Sequence, residues 1–298
     1  MTASGGLLLV HAHPDDECFA TGGLIARSVA EGRRVDLVVC TGGEEGEIHD
    51  PDLDPDEARP RMREIRAAEL DCSLAHLRGD GPGELHLHRL GYRDSGMVDS
   101  EANAHPEAFW QADLEQATGR VASVIREARP AVVVTYDANG NYGHPDHIKA
   151  HRVAVAAFHA AADPSRFPGS GRSWGVAKFY EIAFNRDRWS SVMAQMKERG
   201  INLPWDGDTE AEADDQQFGV PAAGITTVVE VDSWAGAKRA AMACHRTQSQ
   251  DFGWLLGLPD DLAPRILSPE HFLLTRWPER AIAPSLREAS LFDGLEGR

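Results

Sequence analysis

An α/β fold, with a mainly parallel sheet flanked by helices, is what this sequence predicts, and two observations carry the prediction. Short β-branched runs alternate with longer helical patterns through the first half, as stacked βαβ units require. Every segment dense in chemically active side chains also directly follows one of those runs, on the rim where the loops of an open parallel sheet converge.

The strand candidates are Leu7 to Val10, Arg34 to Thr41, Glu84 to Leu90 and Ala131 to Tyr136. Helical patterns lie between them over Glu17 to Glu31, Asp56 to Leu77 and Gln111 to Ala128. A Gly/Asn-rich loop, Asp137 to Gly143, then leads into a helix that opens HPDH. Pro145 suits its first position and Asp146 suits the positive end of its dipole. Beyond Ala162 the pattern loosens. A Pro/Gly/Ser-rich connection precedes the strand KFYEIAF, a helix over Asp187 to Arg199, and the acidic stretch DGDTEAEADDQQ at 206–217, read as a surface loop. Another strand follows over Ile225 to Val231 and a helix over Trp234 to Gln248, and the last stretch reads as Pro-bounded helices and turns. No repeat or clean linker divides the chain. We therefore expect one domain over 1–298: a Rossmann-like core at 1–165 carrying the loaded loops, and a smaller, less regular C-terminal part at 166–298 completing the pocket.

Composition narrows the function. The 298 residues are 42% hydrophobic, ample for a buried core. Lys and Arg number 30 against 47 Asp and Glu, a formal charge of −17, which disfavours nucleic acid and anionic membranes as partners. A small neutral or cationic substrate, or a bound cation, fits better. The beginning MTASGGLLLV has no basic region and only a short apolar run, so the expected location is cytoplasmic. The four cysteines (Cys18, Cys40, Cys72, Cys244) show no CxxC spacing and are expected to be reduced thiols. Cys18 reads as a small helix-packing residue beside the acidic cluster. The sequence leaves the oligomeric state open, a homo-oligomer included.

The heptad HAHPDDE (His11 to Glu17) and the tetrapeptide HPDH (His144 to His147) carry the chemistry. A hydrolytic zinc takes about three protein ligands from His and carboxylate and keeps a position for water. HxHPDD supplies a His and an Asp from one loop, and HPDH supplies another His; Pro14 and Pro145 stiffen both. Either pattern alone is short enough to be a turn cap, but two of them at strand ends point to a metal. His151, four residues after His147, and His11, two before His13, are rival ligands, and both read better as supporting or core histidines. The chain offers no GxGxxG or GxxxxGK[ST] phosphate loop and no GxSxG nucleophile elbow. A glycosidase carboxylate pair leaves the histidines unexplained.

At these residues the sequence resembles the LmbE/PIG-L family of zinc-dependent N-deacetylases, whose signatures are an [A/H]HPDD segment near the N-terminus and HPDH after the fourth strand. The likeness runs on through TGGEEGE (Thr41 to Glu47), REIRAAEL, YRDSGM and VVVTYDANGNYGHPDH, and more loosely through KFYEIAF and AKRAAMACHRTQSQ. It is strongest toward an actinobacterial branch that acts on GlcNAc-inositol and on mycothiol S-conjugates. The resemblance implies that His13, Asp16 and His147 bind one zinc (Zn²⁺) per chain. It implies Asp15 as general base and then general acid, His144 assisting at the oxyanion and paired with Asp146, and Tyr142 as a mobile phenol donor. Arg66 and Asp94 match positions that hold substrate hydroxyls, and Glu47 lies on a neighbouring loop. Ferrous iron (Fe²⁺) also suits such a donor set. Two departures from the pattern, ECFATGG and HLRGDGPGELHLHRL, bear on the shape of the pocket.

The implied activity is removal of an N-acetyl group from an N-acetylglucosamine-containing small molecule. Cleavage of a larger amide, such as a mycothiol S-conjugate, would use the same machinery. A metal-dependent binding protein without turnover is the reading from another class, and the intact Asp15 argues against it.

Overall fold

Leu7, Leu8, Leu9 and Val10 are each 0% exposed, as expected of a strand covered on both faces by helices. They form β1 (Gly6–His11) in the computed structural model, which describes residues 5–201, 219–259, 261–276 and 287–295. The acidic stretch at 206–217 lies outside the described residues.

The helix expected after β1 is two: α1 (Asp16–Phe19) and α2 (Gly22–Ala30), broken at Ala20 and Thr21. The break turns the chain so that α1 stays at the strand end while α2 packs along the sheet. Then follow β2 (Arg34–Thr41), α3 (Pro55–Ala58) and α4 (Met62–Arg78). A 3₁₀ turn over Arg59–Arg61 separates the last two, where Pro60 has no N–H to continue a helix. Next come β3 (Glu84–Tyr92) and α5 (Leu114–Ala128), whose start is capped by Asp113 accepting from the Gln116 N–H. β4 (Pro130–Thr135) leads through a single turn, α6 (Gly140–Gly143), into α7 (Pro145–Ala162). β5 (Lys178–Ala183), α8 (Arg186–Glu198), β6 (Thr227–Val229), α9 (Ala235–Cys244), α10 (Ser249–Leu256), α11 (Ala263–Leu267) and β7 (Glu270–Arg276) complete the described order.

One sheet joins all seven strands in the order β3-β2-β1-β4-β5-β7-β6. The first five are parallel; β7 runs antiparallel to both β5 and β6. Connections move outward from β1 in one direction and from β4 in the other, so crossovers of one hand put their helices on opposite faces. Accordingly α2, α4 and α9 pack together, and α5 packs on α7. The switch point between β1 and β4 is where a ligand site belongs.

Three expectations need correction. Residues 270–276, expected among helices and turns, form a strand, because Phe272 and Leu274 are buried when β7 pairs with β5. The strand expected over Ile225 to Val231 is only three residues long. The cysteines are not all reduced thiols: Cys72 of α4 and Cys244 of α9 form a disulfide across 172 residues, while Cys18 and Cys40 are free and buried. Spacing rules detect local cysteine pairs, whereas this one exists only because α4 and α9 pack side by side.

A link closing so long a loop restricts the unfolded chain strongly, with a typical contribution of about 2–4 kcal/mol. The Cys72→Ser, Cys244→Ser double variant should therefore melt several degrees lower than the oxidised protein, and reductant should reproduce the shift. Equal melting temperatures in all three states would show that the bond adds no stability.

Candidate metal centre and active site

The site begins where β1 ends. His13, Pro14, Asp15 and Asp16 follow the strand, and Asp16 opens α1. From the neighbouring β4 come Tyr136, the Gly/Asn-rich loop and the start of α7. His144 is the N-cap of α7, its Nδ1 accepting the Asp146 N–H at 3.1 Å, with Pro145 at the first helical position. Gly140 has φ +65°, and a Cβ there would lie 2.6 Å from the His147 Cβ. Only glycine lets this loop pass so close to His147.

Three donors from the two loops converge. His147 Nε2 lies 3.2 Å from His13 Nδ1, Asp16 Oδ1 lies 3.4 Å from His147 Nε2, and Asp16 Oδ2 lies 3.5 Å from His13 Nδ1. A tetrahedron with metal–ligand bonds of about 2.0–2.1 Å has edges of roughly 3.3–3.4 Å; the two Asp16 distances run to different oxygens of one carboxylate, which together with the two ring nitrogens suits a zinc-type ion. Donor atoms of His13, His144 and His147, and of His13, Asp94 and Asp146, also lie within 4.8 Å of one another. In both of those trios a nitrogen is already engaged. His144 Nδ1 caps α7, and His13 Nε2 faces Asp146 Oδ2 at 3.3 Å and Asp94 Oδ1 at 3.6 Å.

The second of these contacts corrects the expected pairing of Asp146 with His144. The Asp146 carboxylate, 0% exposed, accepts from Ser95 N and Ser95 Oγ and takes His13 Nε2, while His144 meets only the Asp146 backbone. Its side chain points under the loop from β1, so it orients His13 and leaves Nδ1 facing the donor cluster. With Nδ1 of His144 an acceptor, its Nε2 carries the proton. Burial, with His13 and His147 nearby, pulls His144 down to about 3, so this imidazole is neutral. Burial likewise holds His147 at about 4, available as an electron-pair donor.

Charge around His13 is strongly negative. Burial would lower its pKa, but Asp94, Asp146 and Asp16 raise it well above the ordinary value. Burial opposes ionisation of Asp16 too, yet His147 and His13 hold it well below the usual carboxylate range. A cation is the natural occupant of such a field. Asp16 Oδ2 is further fixed by the His13 N–H at 2.7 Å and the Tyr136 hydroxyl at 2.6 Å, and the Tyr136 ring stacks on His147 at 4.1 Å.

Asp15 stands beside this cluster on a cleft of about 380 Å³ that also takes in Asp16, Phe19, Tyr136, Tyr142, His147 and Phe184. Burial raises it to about 7, against the lowering effect of Arg66 and with Asp16 adding to the rise. Arg66, which matches a position expected to hold a substrate hydroxyl, is 2% exposed and pairs with Asp15 at the edge of the cleft. Its Nη2 donates to Asp15 Oδ2 at 2.7 Å and to the Pro14 carbonyl, and its Nη1 to the Gly43 carbonyl at 2.9 Å. The Gly-rich TGGEEGE loop wraps this guanidinium: a Cβ on Gly43, at φ +68°, would sit 2.3 Å from Nη1. Asp94 is buried, accepts from the Gly96 N–H at 2.8 Å, and is held low by His13 and that N–H in spite of burial. Glu47 lies exposed on its loop with its carboxylate 2.8 Å from His49 Nε2. Tyr142 is 57% exposed, with its ring 4.9 Å from that of His147.

The supporting histidines also have partners. His11 Nε2 meets Thr21 Oγ1 at 3.1 Å, and His151 Nδ1 donates to the Tyr136 carbonyl at 2.9 Å. Sequence reasoning missed Tyr136, Ser95 and His245. Tyr136 and Ser95 stand inside segments whose other residues were singled out, so their position at strand ends was the available signal. His245, with its Nε2 2.8 Å from Glu17 Oε1, stands inside AKRAAMACHRTQSQ, a segment quoted only for its looser likeness, and no metal-ligand spacing marks it there.

A mainly parallel sheet with a His/Asp donor cluster and an acid beside it at the switch point is an arrangement suited to a metal-dependent hydrolase. The PIG-L family model, described as GlcNAc-PI de-N-acetylase, matches residues 8–158. A 1D-myo-inositol 2-acetamido-2-deoxy-alpha-D-glucopyranoside deacetylase from Geodermatophilus obscurus is 43% identical over 100% of both chains. The chain belongs to the PIG-L family, and it is an enzyme of the deacetylase type that hydrolyses carbon–nitrogen bonds. Among solved structures, the N,N'-diacetylchitobiose deacetylase from Pyrococcus horikoshii aligns with a TM-score of 0.57 at 17% identity, covering 91% of this chain and 84% of that one. GalB, a 4-carboxy-2-hydroxymuconate hydratase from Pseudomonas putida, aligns at 0.59 and 17%, covering 95% and 100%. At such identities the likeness concerns the fold alone, and the hydratase shows that one fold hosts different reactions.

Proposed function

We propose that the protein removes the acetyl group from a GlcNAc-inositol-type amino sugar, releasing acetate and a primary amine. The observation that carries this is the cluster of His13 Nδ1, the Asp16 carboxylate and His147 Nε2, with separations of 3.2–3.5 Å, beside a further acid, Asp15, whose side-chain partner is Arg66. The 43% identical relative of that activity supports the substrate.

In this reading His13, Asp16 and His147 hold one zinc, with ferrous iron the alternative. The ion, when bound, supplies a Lewis acid that polarises the carbonyl and lowers the pKa of water towards about 7. Asp15 takes a proton from the attacking water and delivers it to the departing nitrogen, and a carboxyl raised to about 7 suits both transfers. Arg66 steadies Asp15 through Oδ2, and Asp146 steadies His13 through Nε2. The protonated Nε2 of His144 and the Tyr142 hydroxyl donate to the carbonyl oxygen as charge builds on it. Asp94 and Glu47 serve the sugar side of the pocket. We place the reaction in the cytoplasm, with a small molecule as the only partner the reading needs. In that reducing compartment a Cys72–Cys244 bond would be uncommon, which gives the reductant comparison above added weight.

A second substrate has a specific observation behind it. Phe19 and Phe184 stack with centroids 5.5 Å apart on the wall of the cleft, an apolar surface suited to a bulkier amide such as a thiol conjugate. Acetate release from GlcNAc-inositol, measured beside cleavage of a mycothiol S-conjugate, separates the two. We expect the larger kcat/KM on GlcNAc-inositol; a larger value on the conjugate reverses the assignment, and activity on neither removes both.

A further inference from the structure

Asp15 occupies a backbone region that a non-glycine residue adopts only under restraint, with φ 126° and ψ −29°. Its own carboxylate contacts do not explain how the peptide is held there. The restraint is visible on the other side of the chain. The Asp15 N–H donates to Glu17 Oε2 at 2.9 Å, and the Asp15 carbonyl accepts from the Cys18 N–H at 3.1 Å and Cys18 Sγ at 2.9 Å.

Glu17 is 0% exposed, is not among the residues lining the cleft, and stands on α1 where it packs against α9, outside the His13–Asp16–His147 cluster. Its other oxygen, Oε1, receives Ser73 Oγ at 2.5 Å and His245 Nε2 at 2.8 Å. Ser73 is 0% and His245 1% exposed, so both bonds are shielded from water. The two donors come from α4 and from the residue that ends α9. Each directly follows a half-cystine, Ser73 after Cys72 and His245 after Cys244. The disulfide thus ties together the backbone segments that carry Glu17's two donors.

We infer that Glu17 is a positioning residue for Asp15: its buried carboxylate, clamped by Ser73 and His245 and braced by Cys72–Cys244, holds the Asp15 peptide in its strained conformation. Held this way, Asp15 meets Arg66 on one side and the donor cluster on the other, without spending its own carboxylate on local backbone groups. A buried charge placed only for packing would be a poor choice, because it must be matched by donors to be tolerated at all. The inference rests on Asp15 being the proton-transfer group of the proposed function.

The test compares Glu17→Gln, His245→Ala, His245→Gln and Asp15→Asn in the zinc-loaded enzyme acting on GlcNAc-inositol. Supporting groups of this kind typically govern about 10–100-fold in activity. Glu17→Gln should lower kcat by roughly that factor, with KM and bound zinc within about twofold of the parent. His245→Ala should do the same. His245→Gln, which keeps an N–H donor for Glu17, should recover most of the loss; a purely structural histidine would lower stability without this selective fall in kcat at constant KM and zinc. If Glu17→Gln does not fold, the His245 pair carries the test unchanged. An unaltered kcat in the folded Glu17 and His245 variants, or a loss matched by equal loss of zinc, overturns the inference while an inactive Asp15→Asn leaves the proposed function standing. Full activity in Asp15→Asn overturns the role of Asp15 and this inference together.

Discussion

Asp15→Asn should bind zinc as the parent does and lose about 10²–10⁴-fold in kcat, the range a positioned general acid–base group contributes. The substitution keeps the shape of the side chain and its oxygen facing Arg66 Nη2, which lies 2.7 Å from Oδ2. It removes a group beside the donor cluster that burial has raised to about 7, where it can change protonation near neutral pH. His144 and His147 do not replace it, because both are held neutral far below that range. Steady-state kinetics and metal analysis on one preparation check both halves of the expectation. Loss of zinc from this variant would make Asp15 a ligand instead, and unchanged kcat would exclude it from proton transfer.

On the proposed reading of one zinc per chain, His13→Ala should reduce bound zinc to a small fraction of the parent's, measured on protein purified without chelator. Among the described residues, His13 is the one that touches Asp16, Asp94, Asp146 and His147 together. Its loss opens the triangle at one corner and takes away the imidazole that faces the buried carboxylates of Asp94 and Asp146. Such uncompensated burial is costly, typically about 3–5 kcal/mol when one partner of a buried pair is removed. The variant should therefore also melt well below the parent. His11→Ala is the control, because His11 Nε2 is committed to Thr21 Oγ1 at 3.1 Å and lies outside the triangle. Full zinc in His13→Ala with loss in His11→Ala would transfer the ligand role to His11.

Much of the fold was legible for local reasons. β2 runs over Arg34–Thr41 as its apolar pattern indicates, and the loops after β1 and β4 stand side by side because a parallel sheet brings alternating strand ends to one rim. Two short motifs far apart in the chain could be read as one site for that reason. β7 was missed because its burial comes from pairing with β5, a partner outside any local window. The break between α1 and α2 was missed because the helical periodicity runs through it, although ATGG carries the signal.

The chemical types at the site are written in HAHPDDE and HPDH, since imidazole and carboxylate at those spacings have few other uses. Which atom of each side chain does what was settled by packing. Asp146 turned from His144 to His13 because Ser95, on the loop after β3, captures its carboxylate. Arg66 is held against Asp15 because the Gly43 loop closes around its guanidinium. Glu17 found His245 across 228 positions of chain, and Cys72 found Cys244 across 172. Strand and motif are encoded by neighbours a few residues apart, so a single sequence displays them. Hydrogen-bond partners are chosen by shape and burial after the helices dock, and no periodicity along the chain records that choice.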